Sequence, residues 1–199
     1  MTPIKRHFVI GISSVSGGGK TAVAKKLAEL LQDAVTLRFD DYDGTNIHPE
    51  NLETWLVDGG DYNAWQTPVL TRDLQALTTG NHVASPVDGS KVSPAEYIVF
   101  DAPLGRAHCD TGQFIDFMVF IDTPLDVAMA RRLLRGMANP PADEAAKWIE
   151  VELSSYLNGA RILYVEFRER IKQQSDLVLD GCLTVDELAD EIRARMPHR

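Results

Sequence analysis

Gly11-Ile12-Ser13-Ser14-Val15-Ser16-Gly17-Gly18-Gly19-Lys20-Thr21 is the stretch of this chain whose residue types and spacing could do chemistry. Three successive glycines permit positive φ, so several backbone N–H groups can converge on one anion with no Cβ in the way. Lys20 adds a full charge beside the β and γ phosphates of a nucleotide, and Thr21 offers a hydroxyl to Mg²⁺. The strict phosphate-loop pattern asks for glycine at position 14, where this chain has Ser14. The remaining match, Gly19-Lys20-Thr21, carries the signal.

Such a loop needs a strand before it and a helix after it. Phe8-Val9-Ile10 is a short apolar run, and Val23, Leu27, Leu30 and Leu31 recur at helical spacing. The helix would direct the positive end of its dipole at the same anion. Ala34–Phe39 alternates and is β-rich, so a second strand ends at Asp40-Asp41-Tyr42-Asp43. A strand, helix, strand succession implies a right-handed parallel crossover, which sets Asp40 on the rim that carries the glycine loop.

Two further apolar runs each stop on an acid, Tyr97–Phe100 at Asp101 and Phe117–Ile121 at Asp122. Asp122-Thr123-Pro124 leads into a helix and reads as a cap, from Asp122 or Thr123. Asp101 is followed by the open loop Ala102-Pro103-Leu104-Gly105, so the metal role falls to Asp101. The helix from Pro124 turns Val127, Ala130, Leu133 and Leu134 inward and presents Arg131, Arg132 and Arg135 elsewhere, as an anion site or as a solvated basic face. Gly136–Pro141 interrupts that helix, and residues 136–145 read as a lid. A long helical stretch runs from Asp143 to Lys172, divided at Asn158-Gly159. Leu177-Val178-Leu179 is a last strand, and Thr184-Val185-Asp186-Glu187 is a capping box that opens a helix to Met196.

Residues 44–95 form an insertion between two core strands. It holds a short helix through Leu52, Trp55 and Leu56, a second helix starting at Thr67-Pro68, and a turn-rich stretch at 83–89 that suggests a hairpin. Tyr42, Trp55, Tyr62 and Trp65 either cover a second substrate or fill a small core of the insertion's own.

Composition sets the outer bounds. The 199 residues suit one domain with a sizeable core, and the formal net charge of −9 argues against a nucleic-acid binder. Two separated cysteines, Cys109 and Cys182, lack metal-ligand spacing and suit a reducing cytoplasm. The N-terminus is neither a signal peptide nor a membrane span in pattern.

The phosphate loop, Asp40-Asp41-Tyr42 after the second strand, Asp101, and the run from Phe120 to Arg135 resemble the uridine kinase, nicotinamide riboside kinase and phosphoribulokinase group of P-loop kinases. The resemblance implies an α/β fold of three layers, with a parallel central sheet, helices on both faces, an acceptor-side insertion and an arginine-bearing lid, all in one domain over residues 1–199. It implies ATP and Mg²⁺, with a small-molecule hydroxyl as the acceptor, and allows a homodimer. It makes Asp40 the base that takes the acceptor's proton, Thr21 and Asp101 the Mg²⁺ holders, and Arg132 and Arg135, with Arg131, the phosphate grips. The nucleotide side is then Ser14, Val15, Ser16, Gly17, Gly18, Gly19, Lys20, Thr21, Ala22 and Arg131. The acceptor side is Asp40, Tyr42, Tyr62, Asn63 and Arg106. Asn63 stands where nicotinamide riboside kinases carry the aspartate that binds the ribose diol, and Pro86-Val87-Asp88 replaces a common Pro-x-Tyr.

The expectation is therefore an ATP-dependent kinase for a nucleoside-like hydroxyl. Two alternatives stand beside it: a kinase for pantothenate, a sugar or a glycerate-like acid, and an ATP-binding regulator that hydrolyses slowly. A guanine switch is set aside, since neither Asn-Lys-x-Asp nor Thr-Lys-x-Asp occurs.

Overall fold

The computed structural model describes residues 7–138 and 141–197. Its strands are β1 Phe8–Ser13, β2 Ala34–Arg38, β3 Val83–Ala84, β4 Lys91–Val92, β5 Tyr97–Asp101, β6 Phe117–Asp122 and β7 Leu177–Asp180. Its helices are α1 Lys20–Leu31, α2 Leu52–Val57, α3 Pro68–Thr78, α4 Cys109–Gly112, α5 Leu125–Met137, α6 Ala142–Ser155, α7 Arg161–Gln173 and α8 Val185–Arg195.

Five strands form one parallel sheet in the order β2-β5-β1-β6-β7, and β3 pairs antiparallel with β4 as the expected hairpin. β1 is buried along its whole length because both of its faces are covered. The pleat divides its side chains between two cores. Ile10 and Ile12 meet Val23, Leu27, Leu188 and Ile192 of α1 and α8. Val9 lies on the other face with Leu70, Leu74, Phe100, Met118 and Ile171. The result is the three-layer α/β arrangement that the sequence implied, with every strand of the main sheet delivering its carboxyl end to one rim.

Local signals account for several ends. Thr184 accepts from the Glu187 N–H and the Glu187 carboxylate accepts from Thr184, closing the capping box. Gly59 and Gly60 end α2 with positive φ, at 98° and 64°. Asn158 and Gly159 depart from helical geometry between α6 and α7, the division expected there.

Two expectations change. Gly136 does not interrupt α5, which runs on to Met137. The glycine is there for room: a Cβ on it would lie 2.2 Å from the Trp148 ring of α6. Neither Asp122 nor Thr123 caps α5, whose N-cap position is Pro124 with no side-chain cap bond. The lid expected at 136–145 includes residues 139–140, which lie outside the described residues. Among the described residues, no helix is long and apolar enough to cross a membrane.

Candidate active site

The glycine loop joins β1 to α1. Gly17 and Gly18 are glycines for space: a Cβ on Gly17 would lie 2.3 Å from the Ala128 carbonyl, and one on Gly18 would lie 1.8 Å from the Ser14 Oγ. Gly17 also has φ 84°, which disfavours any other residue. Ser14 needs no glycine freedom, because it is absent from the positive-φ residues. Its hydroxyl donates to the Ile121 carbonyl at 2.7 Å and fills the space that Gly18 leaves. Thr123, released from capping, donates to the Gly18 carbonyl at 3.0 Å. The loop is thus tied twice to the end of β6.

Beyond the loop, Gly19 is the N-cap of α1, with φ 98° and no side-chain cap bond, and the first turn carries no acid. The N–H groups of Lys20, Thr21 and Ala22 therefore lack both intrahelical acceptors and a neutralising carboxylate. This is an anion cradle with one flexible cation beside it.

A cavity of about 440 Å³ opens over this rim. Ser14, Val15, Ser16, Lys20 and Asp40 line it, together with Leu52, Pro103 and Phe120. α7 contributes Leu163, Tyr164, Phe167, Arg168 and Ile171 to the same lining. Asp40 is held there by a 3₁₀ turn over Phe39–Tyr42, where Phe39 and Tyr42 are buried and Asp40 faces out. A second cavity, of about 290 Å³ between Gln75, Thr78, Thr79, Gln113 and Phe114, touches none of these residues.

Asp101 ends β5 between β1 and β2 and is 2% exposed. Thr21 Oγ1 donates to its Oδ2 at 2.6 Å, while Oδ1 is buried with no hydrogen-bond partner. Burial pushes this carboxyl above the usual range; the Lys20 charge and the Thr21 hydroxyl act against that, and Asp40 adds to it. An orphaned buried carboxylate oxygen beside a threonine hydroxyl is the donor chemistry that a hard divalent cation takes. Among the described residues, no group of three or more His, Cys, Asp or Glu could hold a metal. Thr21 and Asp101 thus fit an ion that draws its other oxygens from phosphate and water.

The structure separates the other sequence-derived residues. Tyr42 is 1% exposed and donates to Asp73, so it is core and does not reach the cavity. Tyr62 is also buried, packed with Trp55, Trp65 and Phe167. The rings therefore join the core on this face of the main sheet, with Phe167 of α7, and build no separate core of the insertion; burial pushes the Tyr62 phenol up to about 12. Asn63 accepts from the Cys109 N–H and donates to Asp61, away from the cavity lining. Arg106 forks onto Asp176 and onto the Asp116 carbonyl, a brace between loops. Arg131 donates to the Gly181 carbonyl. Arg132 lies beside Val15 and Ser16 but is held by Glu152 and the Tyr164 hydroxyl. Arg135 is exposed and does not line this cavity.

Asp122 and Arg168 form a pair that the sequence reading missed. Arg168 Nε donates to Asp122 Oδ1 at 2.6 Å, and Lys172 Nζ to Oδ2 at 2.6 Å. Burial works against ionisation of Asp122, but the two cations outweigh it and hold the carboxyl below its ordinary value. One signal was available. Tyr164 and Arg168, like Leu163, Phe167 and Ile171, fall at i,i+4 spacing, so a charge sits within the stripe that α7 turns to the cavity.

This loop and sheet define the P-loop kinase fold. Two solved structures share it: one described as a possible uridine kinase of Bacillus stearothermophilus, with TM-score 0.51, 20% identity and coverage of 88% of this chain and 89% of that one, and one from Silicibacter with the provisional description of a fructose transport system kinase, with TM-score 0.54, 16% identity and coverage of 90% and 92%. At the sequence level, the chain is similar over most of its length to proteins named uridine kinase. The Brevibacillus brevis protein is 29% identical over 185 residues, 86% of this chain and 83% of that one. The Shewanella piezotolerans protein is 28% identical over 210 residues, covering 98% and 97%. No family model matches the chain. Together these relatives support a small-molecule kinase.

Proposed function

We propose that this chain is a single-domain, ATP-dependent kinase that moves the γ-phosphoryl group to a hydroxyl of a nucleoside-like metabolite. The observation that carries this reading is that Lys20, the Ser14–Ser16 limb of the loop and the carboxylate of Asp40 line one cavity. The names of the sequence relatives support the nucleoside side of it.

Phosphoryl transfer needs alignment and charge neutralisation more than covalent help. The loop amides and Lys20 would hold the β and γ phosphates. Asp40 would orient the acceptor hydroxyl and take its proton as the oxygen bonds to phosphorus. Thr21 and Asp101 would hold Mg²⁺, which supplies neutralising charge to the phosphate oxygens when bound.

A second reading, a kinase for a non-nucleoside acceptor, draws on the cavity wall. Tyr62 and Asn63 do not line it, and Leu52, Leu163, Phe167 and Ile171 make it largely apolar. ADP formation measured against a panel of nucleosides, sugars, pantothenate and hydroxy acids tests both readings. ADP formation that depends on a nucleoside supports the proposal, and dependence on another hydroxyl compound supports the second reading. Hydrolysis that is indifferent to every acceptor would overturn both in favour of a nucleotide-binding regulator.

A further inference from the structure

The resemblance led to the arginines of α5 as the grip on the phosphates, but the geometry redistributes that work. Arg131 is spent on the Gly181 carbonyl, Arg132 on Glu152 and Tyr164, and Arg135 faces outward. Among the described residues, the arginine that lines the same cavity as Ser14, Val15, Ser16, Lys20 and Asp40 comes from a different helix, α7.

We infer that Arg168 is the arginine that contacts the transferring phosphoryl group. This inference rests on the kinase reading above. Three observations support it.

The first is position. Asp122 anchors the Arg168 Nε, and the preceding residue, Ile121, takes the Ser14 hydroxyl at 2.7 Å. The anchor is therefore one residue away from the attachment point of the loop's N-terminal limb. Arg168 lines the same cavity as that limb and Asp40.

The second is charge. Asp122 is shared by Arg168 and Lys172, so the trio keeps one net positive charge instead of cancelling. The other carboxylate near Arg168 is Glu169, 3.7 Å from Nη1, with a side chain that is 53% exposed and therefore well screened. The trio leaves positive charge at the cavity wall where a dianionic phosphoryl would sit.

The third is preorganisation. Binding through Nε fixes the plane of the guanidinium, and the flanking Leu163, Phe167 and Ile171 keep that wall apolar. A fixed donor beside low-dielectric surface stabilises developing charge without reorganising at the moment of reaction. Asp122 and Lys172 are then positioning residues that act through Arg168.

In the reaction, the bond between phosphorus and the β–γ bridging oxygen breaks as the acceptor oxygen bonds to phosphorus. The acceptor's proton passes to Asp40. Arg168 donates hydrogen bonds to the equatorial oxygens and exchanges no proton.

The test is Arg168→Gln, whose amide can still donate to Asp122 while losing the charge. Arg168→Lys, which keeps the charge and loses the fork, is the companion variant. Each is compared with wild type for its melting curve, for turnover with the acceptor found in the panel, and for affinity towards a fluorescent ADP with Mg²⁺, with and without aluminium fluoride. Arg168→Gln is expected to lower kcat by on the order of 10² to 10³ with acceptor KM nearly unchanged. It should weaken the ADP–aluminium fluoride complex far more than ADP alone. Arg168→Lys should recover part of the turnover.

A rise in acceptor KM alone would overturn the inference and make Arg168 a contact to an anionic acceptor. Equal loss of both nucleotide complexes, or no loss, would also overturn it; if Arg168→Gln does not fold, Arg168→Lys gives the same readouts. A wild-type protein that binds no ADP would sink the kinase reading itself, which is a different failure from a wild type that binds and a variant that binds equally well.

Discussion

β5 and β6 lie on either side of β1, and each ends a buried apolar run on an aspartate, but the two carboxylates live in different company. Asp101 meets the first turn of α1, keeps one oxygen without a partner and is pushed towards its neutral form by burial. Asp122 meets the last turns of α7, fills both oxygens with cations and is held ionised. An acid at a strand tip is a position on the rim; its role is set by the helix that packs over it. One aspartate keeps an oxygen without a partner, where the proposed function puts an ion, and the other braces α7 at the cavity.

The sharpest way to break this contrast is Asp101→Asn. The amide still accepts from Thr21, so the fold survives, and the loss of a desolvated carboxylate leaves the melting temperature unchanged or higher. Mg²⁺-assisted ATP binding should weaken by on the order of 10- to 100-fold, read by titrating Mg²⁺ against nucleotide affinity. A lower melting temperature with intact Mg²⁺ dependence would reverse the assignment.

Asp122→Asn should do the opposite and strike stability. Between the exposed and buried limits for ion pairs, and discounted for partial exposure, the loss is about 1–2 kcal/mol. For a chain of this size that corresponds to a fall of about 2–8 °C in Tm. Turnover should drop with it, because Arg168 keeps only a neutral acceptor in place of its ionic anchor.

A weaker effect appears in the acid limb of stability. At Asp176, burial opposes ionisation, but Arg106 and the Met118 N–H outweigh it, so this carboxyl also lies below its ordinary value. For a group depressed in the folded state, the stabilisation is complete above the unfolded value and is lost as pH falls through the folded one. Tm should therefore decline below about pH 4, the ordinary carboxylate range, and Asp122→Asn should flatten that decline. Asp101, shifted the other way, works against it, because a carboxyl raised in the folded state favours folding as pH falls.

The smallest effect concerns Asn63. Asn63→Ala removes the acceptor for the Cys109 N–H at an exposed site and should cost about 0.5–1.5 kcal/mol of stability with little change in acceptor KM. A large rise in KM would return Asn63 to the acceptor site.

These contrasts also mark what was legible in the chain. The glycine loop, the strand ends, α1, the hairpin and the Thr184 capping box are local patterns, each confined to a few neighbouring residues, and all are present in the structure. Gly136 read as a break because a glycine's need for space cannot be told from a need for flexibility until Trp148 is seen against it. Tyr42 and Tyr62 read as candidate ligands because an aromatic residue in an insertion looks the same whether it faces a cavity or a core. Asp122 and Arg168 are 46 positions apart, and no local rule joins them. Within α7, the run Arg168-Glu169-Arg170 looks like a solvated face, and the tertiary fold turns one of its charges inward.

The central claim is that Asp40 faces the acceptor across a cavity whose other ligand is the ATP held by the loop. Turnover of Asp40→Asn, with ATP affinity measured on the same protein, tests it most directly. A positioned base accounts for about 10² to 10⁴ in rate, so acceptor-dependent ADP formation should fall by that factor while ATP affinity stays at the wild-type level. Wild-type turnover in the variant, or a loss confined to ATP binding, would contradict the account.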